Sequence, residues 1–414
     1  MSSTFTWLDY SDHQRRKMLD AIALFDEPTT RDELGLGSVR DAFADQLFPG
    51  TNTIQTRAKY FLFIPWIYLI LERNQTSSAE VEKEDRKLET KLILSLLESE
   101  DQDRIIGKHK KENLLCLPSS IYWHGLRTWG IRHFPGSQDD YHRSLDLFYL
   151  RRHARRASRR EFEGEAEDEP DRHNWHPGLP SVPDNFPKEA SLPLTQSEAV
   201  YLREQIMSRC RDSLLAVLVR ERIPVDGVNY AWELTASLPP AVRELLDHGE
   251  NFSQVMHGAQ LLYNLMLAEI VRHEDLIDDY RNRLGNWWEQ IQVRGEQLRA
   301  WNRQRFWHLV GQGNSHVPLP AKQFVNEWVD LVLAARTQAE VVESNSARQR
   351  IELRETQLKR EQARLHNKHA QERWKHAQER RLGASGAGQM DLRWNRARRI
   401  VEDILTGLEN TGHA

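Results

Sequence analysis

The sequence predicts an all-α, multi-helix protein in which two helical regions are joined by a charged, proline-rich linker and followed by a basic C-terminal helical segment. Three observations carry that prediction. Helix-start signatures of the form Ser/Thr-x-x-Glu/Gln recur along the chain, and each lets a hydroxyl and an acid or amide side chain satisfy the orphan amides of a first turn. Apolar residues behind them return every three or four positions, the helical period. No run alternates with the period of two that a half-buried strand needs, and no segment repeats at a fixed spacing.

Taken in order, Ser11 and Gln14 form the first such signature, ahead of Met18, Leu19 and Ile22. A turn at Gly35-Leu36-Gly37 with a Ser38 cap starts a helix through Val39, Phe43 and Leu47 that Pro49-Gly50 stops, and another is expected from about Thr53. Ser77 and Glu80 open a helix carrying Val81, Leu88, Leu92 and Leu96. Leu117 to Trp123 reads as a loop feeding a helix through Ile131, and Ser137 with Asp140 begins one more, rich in Leu145, Leu147 and Phe148. The texture then changes. Over 151–190 come a basic block, an acidic block and Pro177, Pro180, Pro183 and Pro187, which cannot sustain a helix or a central strand.

Thr195 and Glu198 open a helix with Tyr201, Ile206, Leu214, Leu215 and Leu218, broken at Pro224 to Gly227. Pro239-Pro240 restarts helix, and 252–280 has the apolar density of one buried helix at the centre of its domain. Phe324, Trp328, Leu331 and Val332 mark the next, 346–381 is a charged helical segment, and the turn at 383–388 precedes a terminal helix with Ile400, Ile404 and Leu408. The expected domains are therefore 1–150, a linker at 151–190, 191–340 and a basic region at 341–414.

Composition narrows the function classes. A chain of 414 residues is long enough for two or three cores. Its 29% charged residues and mean hydropathy of -0.69 fit long solvated helices. The longest apolar run, from Tyr60 to Leu71, contains Pro65 and is too short for a bilayer span of about 20 residues, so no membrane association is expected. The N-terminal stretch shows no secretory or transit signal, and two distant cysteines, Cys116 and Cys210, suit a reducing cytoplasm and buried apolar roles. A net charge of -4 argues against a uniformly basic nucleic-acid binder, although a global sum can hide local patches.

Two such patches stand out. The block Arg151, Arg152, Arg155, Arg156, Arg159 and Arg160 could neutralise several phosphates, although Glu161 to Asp171 follow at once and could satisfy it within a solvated linker. The stretch 348–382 has eleven Lys/Arg against five Glu, a net of +6; there Arg360, Arg364, Lys368 and Arg373 with Trp374 suit either phosphate contact or ordinary ion pairing along a surface helix. Most of the 13 tryptophans belong in cores, but Trp175 in the linker and Trp374 in the basic region have settings suited to stacking on bases.

Catalytic signals are weak. His257, Glu269 and His273 fall on the expected 252–280 helix, the last two four residues apart, which would suit a polar or metal-binding site, but neither His-Glu-x-x-His nor Glu-x-x-His occurs there. An ordinary surface pair is the simpler reading, and no metal and no cofactor are expected. The glycine turns lack the dinucleotide and P-loop patterns, and there is no Gly-x-Ser-x-Gly elbow.

Several blocks resemble an uncharacterised bacterial family, a domain of unknown function of about this length. They are Glu33 to Ser38 with Arg40 to Phe43, Thr53 to Phe61, Leu117 to Trp123, Trp175-His176-Pro177, Met256 to Ala259 with Leu262 to Leu265, Arg364 to Asn367, Glu372 to Trp374 and Arg393-Trp394. The resemblance runs end to end, implies no catalytic residues, and implies a setting near anti-phage defence genes. The expected function is a helical accessory protein of such a system, binding partner proteins and nucleic acid through its basic segments. The alternatives are a hydrolase or nuclease with its site around 252–280, and a purely structural assembly subunit.

Overall fold

The computed structural model of the chain describes residues 32–108, 114, 116–161, 173–313, 316–379 and 386–410, with the side chains of 156–161, 377 and 379 left aside. The expected helix after Ser11, the acidic run 163–171 and residues 383–385 of the 383–388 turn lie outside the described residues.

The first described helix, Gly37–Leu47 (α1), is capped by Asp32 and not by Ser38. The Asp32 carboxylate accepts the Leu36 and Gly37 amides at 2.7 Å each, while Ser38 sits inside the first turn. The helix expected from Thr53 starts later, as Tyr60–Arg73 (α2). Asn52 holds the intervening chain in a turn, its Oδ1 accepting the Ile54 and Gln55 amides, and the Tyr122 hydroxyl takes those of Thr56 and Arg57. Val81–Glu98 (α3) has the expected extent with Glu80 as its N-cap residue, but without a capping box: the Ser77 hydroxyl donates to the Glu80 carboxylate at 3.3 Å and the Ser77 carbonyl accepts the Glu80 and Val81 amides.

The helix expected through Ile131 is present as Pro118–Thr128 (α4), but it begins at Pro118, so 118–123 is helix where a loop was expected. Pro118 suits a first helical position, and Glu89 of α3 accepts both the amide and the hydroxyl of Ser119 beside it. Gln138–Glu161 (α5) opens with reciprocal bonds between Ser137 and Asp140 and runs on through the whole basic block, so 151–161 is helix and not linker. Gln196–Arg209 (α6) has the complete Thr195–Glu198 capping box. Ser213 then caps a separate helix, Leu214–Glu221 (α7), where one continuous helix was expected.

After a 3-10 turn at Ala231–Glu233, Pro240–Ile270 (α8) begins where Pro239-Pro240 predicts. It stops ten residues early. Arg272 adopts left-handed backbone, φ 52°, and the amides of Arg272 and His273 bond back to the Glu269 and Ala268 carbonyls, a Schellman closure. Glu274–Val293 (α9), Gly295–Arg299 (α10), Arg303–Gln312 (α11), Leu319–Ala334 (α12), Ala339–Val342 (α13), Asn345–Lys359 (α14), Lys368–Glu379 (α15) and Trp394–Glu409 (α16) complete the order. The basic segment is thus two helices, parted at Arg360, whose φ is also positive at 52°. Among the described residues there are no strands, only an isolated antiparallel bridge between Arg132 and Trp175.

Two compact units result, each drawn from separate stretches of chain. One takes in 32–47 and 228–394 of the described chain. Its axis is α8, 31 residues long, against which α1, α9, α12 and α14 pack. Tryptophans from its neighbours donate indole protons to α8: Trp287 to the Gln254 carbonyl, Trp328 to the Val255 carbonyl and Trp301 to His248 Nδ1. Gly258 admits the Trp287 ring, which a Cβ there would overlap. Arg393 joins α1 through Asp41 and Asp45.

The other unit takes in 48–227 and 395–410 of the described chain. Its core is the apolar run of α2, with Tyr60 to Tyr68 buried; no helix among the described residues is long and apolar enough to cross a membrane. Cys116 and Cys210 are buried, as expected. Asp85 and Glu89, one turn apart on α3, are both buried. The Tyr68 hydroxyl donates to Asp85 at 2.9 Å and lies 3.1 Å from His142 Nε2, and Gln138 bridges Tyr68 and Ser119. Burial holds both carboxyls above the ordinary range, Asp85 at about 7.

Candidate nucleic-acid interface

The two basic segments fall in different compact units and meet different fates. In 348–375 most of the charge is spent internally. Arg348 pairs with Glu269, Arg350 with Glu327, and Lys359 and Arg364 both with Glu33. Arg354 is buried and donates to the Leu34 and Gly35 carbonyls. Glu355, fully buried, collects the Tyr263 hydroxyl and the Arg364 and Leu365 amides. Of the sequence candidates here, Arg360, Lys368 and Arg373 are exposed, while Trp374 is 3% exposed and cannot stack on a base without unpacking.

The α5 block behaves otherwise. Arg151, Arg152 and Arg155 line one cleft of about 770 Å³ together with His133, Phe134, Pro135, Ser144, Leu147, Phe148, His173, Asn174 and Pro177. Ser144, Leu147, Phe148, Arg151, Arg152 and Arg155 are spaced three, one, three, one and three apart, so they form a single stripe along the helix. Arg151 and Arg155 are exposed and Arg152 half-buried. Arg151 and Arg152 make no ion pair among the described residues. Arg156, Arg159 and Arg160 continue the same helix, their side chains outside the described set.

The opposite wall is held rigidly. The His133 and Phe134 amides both donate to the Asn174 carbonyl, at 2.8 and 3.2 Å, and the His176 amide donates to Ile131. Beneath it, one oxygen of Glu72 on α2 accepts the Tyr141 hydroxyl, the Asn174 amide and the Trp175 indole at 2.5, 3.0 and 3.1 Å. Burial raises the Glu72 carboxyl above its ordinary range against those three donors. Trp175 is therefore buried, 3% exposed and stacked on Tyr68, and not an exposed aromatic. Burial beside His176 and Arg209 lowers the His133 imidazole below its ordinary value, which favours the neutral ring at neutral pH.

The polar trio of the alternative reading does not assemble. His257 on α8 is half-buried, donates from Nε2 to the Ala387 carbonyl and is driven down to about 4 by desolvation. Glu269 is engaged by Arg348 at 2.6 Å. His273 is the N-cap residue of α9, past the end of α8, so it shares no helix face with Glu269. Among the described residues no three His, Cys, Asp or Glu side chains are grouped as a metal ion would require.

The sequence reading missed His133, Phe134, Phe148, His173 and Asn174 at the cleft. The Leu147-Phe148 to Arg155 stripe was readable from helical spacing once α5 was extended past Leu150. The facing wall was not, because it depends on a single long-range bridge.

Comparison with known proteins adds the family. No curated protein and no solved structure matches this chain. The pattern of a family described as "Family of unknown function (DUF6361)" matches residues 1–407, so the chain belongs to that family.

Proposed function

We propose that this protein is a non-enzymatic helical accessory protein that binds nucleic acid through backbone phosphates at the α5 cleft. The observation that carries this reading is the convergence of Arg151, Arg152 and Arg155 on one concave, aromatic-lined site. Guanidinium groups present planar donor forks that match phosphate oxygens, and binding of this kind is salt-dependent and weakly sequence-specific. On this reading the protein works in a bacterial defence locus alongside partner proteins.

Fluorescence anisotropy with a labelled oligonucleotide at several salt concentrations tests the proposal. Binding is expected to weaken steeply with salt, and R151E/R152E/R155E is expected to lose about tenfold or more in affinity. Unchanged binding in that variant, with folding intact by circular dichroism, overturns it.

A further inference from the structure

We infer that the α5 cleft takes an unpaired nucleotide, so that the ligand class is single-stranded nucleic acid or a strand end and not duplex. The inference rests on the phosphate reading above and adds to it what the rest of the cleft is for.

Arginines alone would serve a duplex. A duplex presents phosphates on a convex surface and keeps its bases stacked inside, out of reach of a recessed ring. The arginines here instead share a cleft with Phe134, Phe148, Leu147, Pro135 and Pro177, and its volume of about 770 Å³ is on the scale of small-ligand sites. The two chemistries are ordered along α5. Leu147 and Phe148 precede Arg151 and Arg152 by one turn, about 5.4 Å of helix rise, a spacing comparable to the sugar that separates a base from its phosphate. A base laid against Phe148 and Phe134 would therefore put its own phosphate within reach of the arginines.

Leu147 is 50% exposed at this site although it belongs to a helix whose other face is core. An exposed apolar side chain beside a half-buried phenylalanine is costly in water, and an aromatic base is a partner that covers it while its phosphate meets the arginines. Asn174, its side-chain nitrogen bound to Glu72 and its backbone carbonyl to the His133 and Phe134 amides, ties the facing wall to α2. Ser144 and His173 add polar groups at the rim.

The test uses the full-length protein and two labelled probes of equal phosphate number, an oligothymidylate and a blunt duplex, at one salt concentration. The single strand is expected to bind about tenfold more tightly. F148A, and F148L as a volume-retaining second variant, are expected to weaken single-strand binding about fivefold or more. Equal affinity for the two probes, or phenylalanine variants that bind the single strand like the wild type, overturns this inference and leaves the phosphate reading standing if R151E/R152E/R155E still abolishes binding. Absence of binding to either probe overturns both.

Discussion

Arg57 and Asp403, 346 residues apart in sequence, are joined by paired hydrogen bonds of 3.0 Å from the guanidinium Nε to both carboxylate oxygens. Both side chains are buried, and Asp403 also accepts the Ala58 amide at 2.8 Å. Removing one partner of such a pair strands the other charge away from water. D403A is expected to destabilise its unit by about 3–5 kcal/mol in urea unfolding; a loss under about 1 kcal/mol would show that Asp101, the second partner of Arg57, carries the charge alone.

The buried Asp85 and Glu89 predict a pH slope. Their native carboxyls hold protons above the pH at which the unfolded chain releases them. The native state therefore binds more protons, and this stabilisation, complete below about pH 4, is lost as pH rises through about 7. His142 and His257, both held neutral with values of about 4, act oppositely between there and the ordinary imidazole range. The difference between the wild type and D85N isolates the carboxyl: the variant's stability is expected to fall less between pH 5 and 8, and identical slopes would contradict the assignment.

The internal pairing of the C-terminal basic segment separates stability from binding. R364A removes a partner of Glu33 and is expected to cost about 2 kcal/mol in thermal or chemical unfolding. Its nucleic-acid affinity is expected to stay within about twofold of the wild type, measured by anisotropy beside R151E/R152E/R155E.

Gly125 in α4 faces the Gly50 carbonyl oxygen, which a Cβ there would overlap. Backbone cannot rotate aside as a side chain can. G125A is expected to cost about 2–3 kcal/mol, read as a shift in the urea midpoint at constant slope.

What the sequence revealed follows from how local each signal is. The Thr195–Glu198 box and the Pro239-Pro240 start lie within four residues and were legible. Several helix ends were not, because Gln75, Arg222 and Arg272 take the left-handed conformation that sequence reading assigns to glycine. The charge of 348–375 misled because its partners, Glu33, Glu269 and Glu327, lie well upstream in the sequence. At the cleft, the arginines were found by composition, whereas His133 and Asn174 meet only through tertiary structure.

The interleaving of the two units also sets a clock on synthesis. At about 5–20 residues per second, on the order of 20–70 s pass between translation of Arg57 and of Asp403. During that interval the ribosome delivers the whole of 228–394, which belongs to the other unit. A nascent chain must therefore carry its first half with Arg57 held by Asp101 alone, without the Asp403 pair, until the last helix emerges. Any transcript cut short before codon 403 yields a polypeptide that cannot finish this half, whatever else it has already folded.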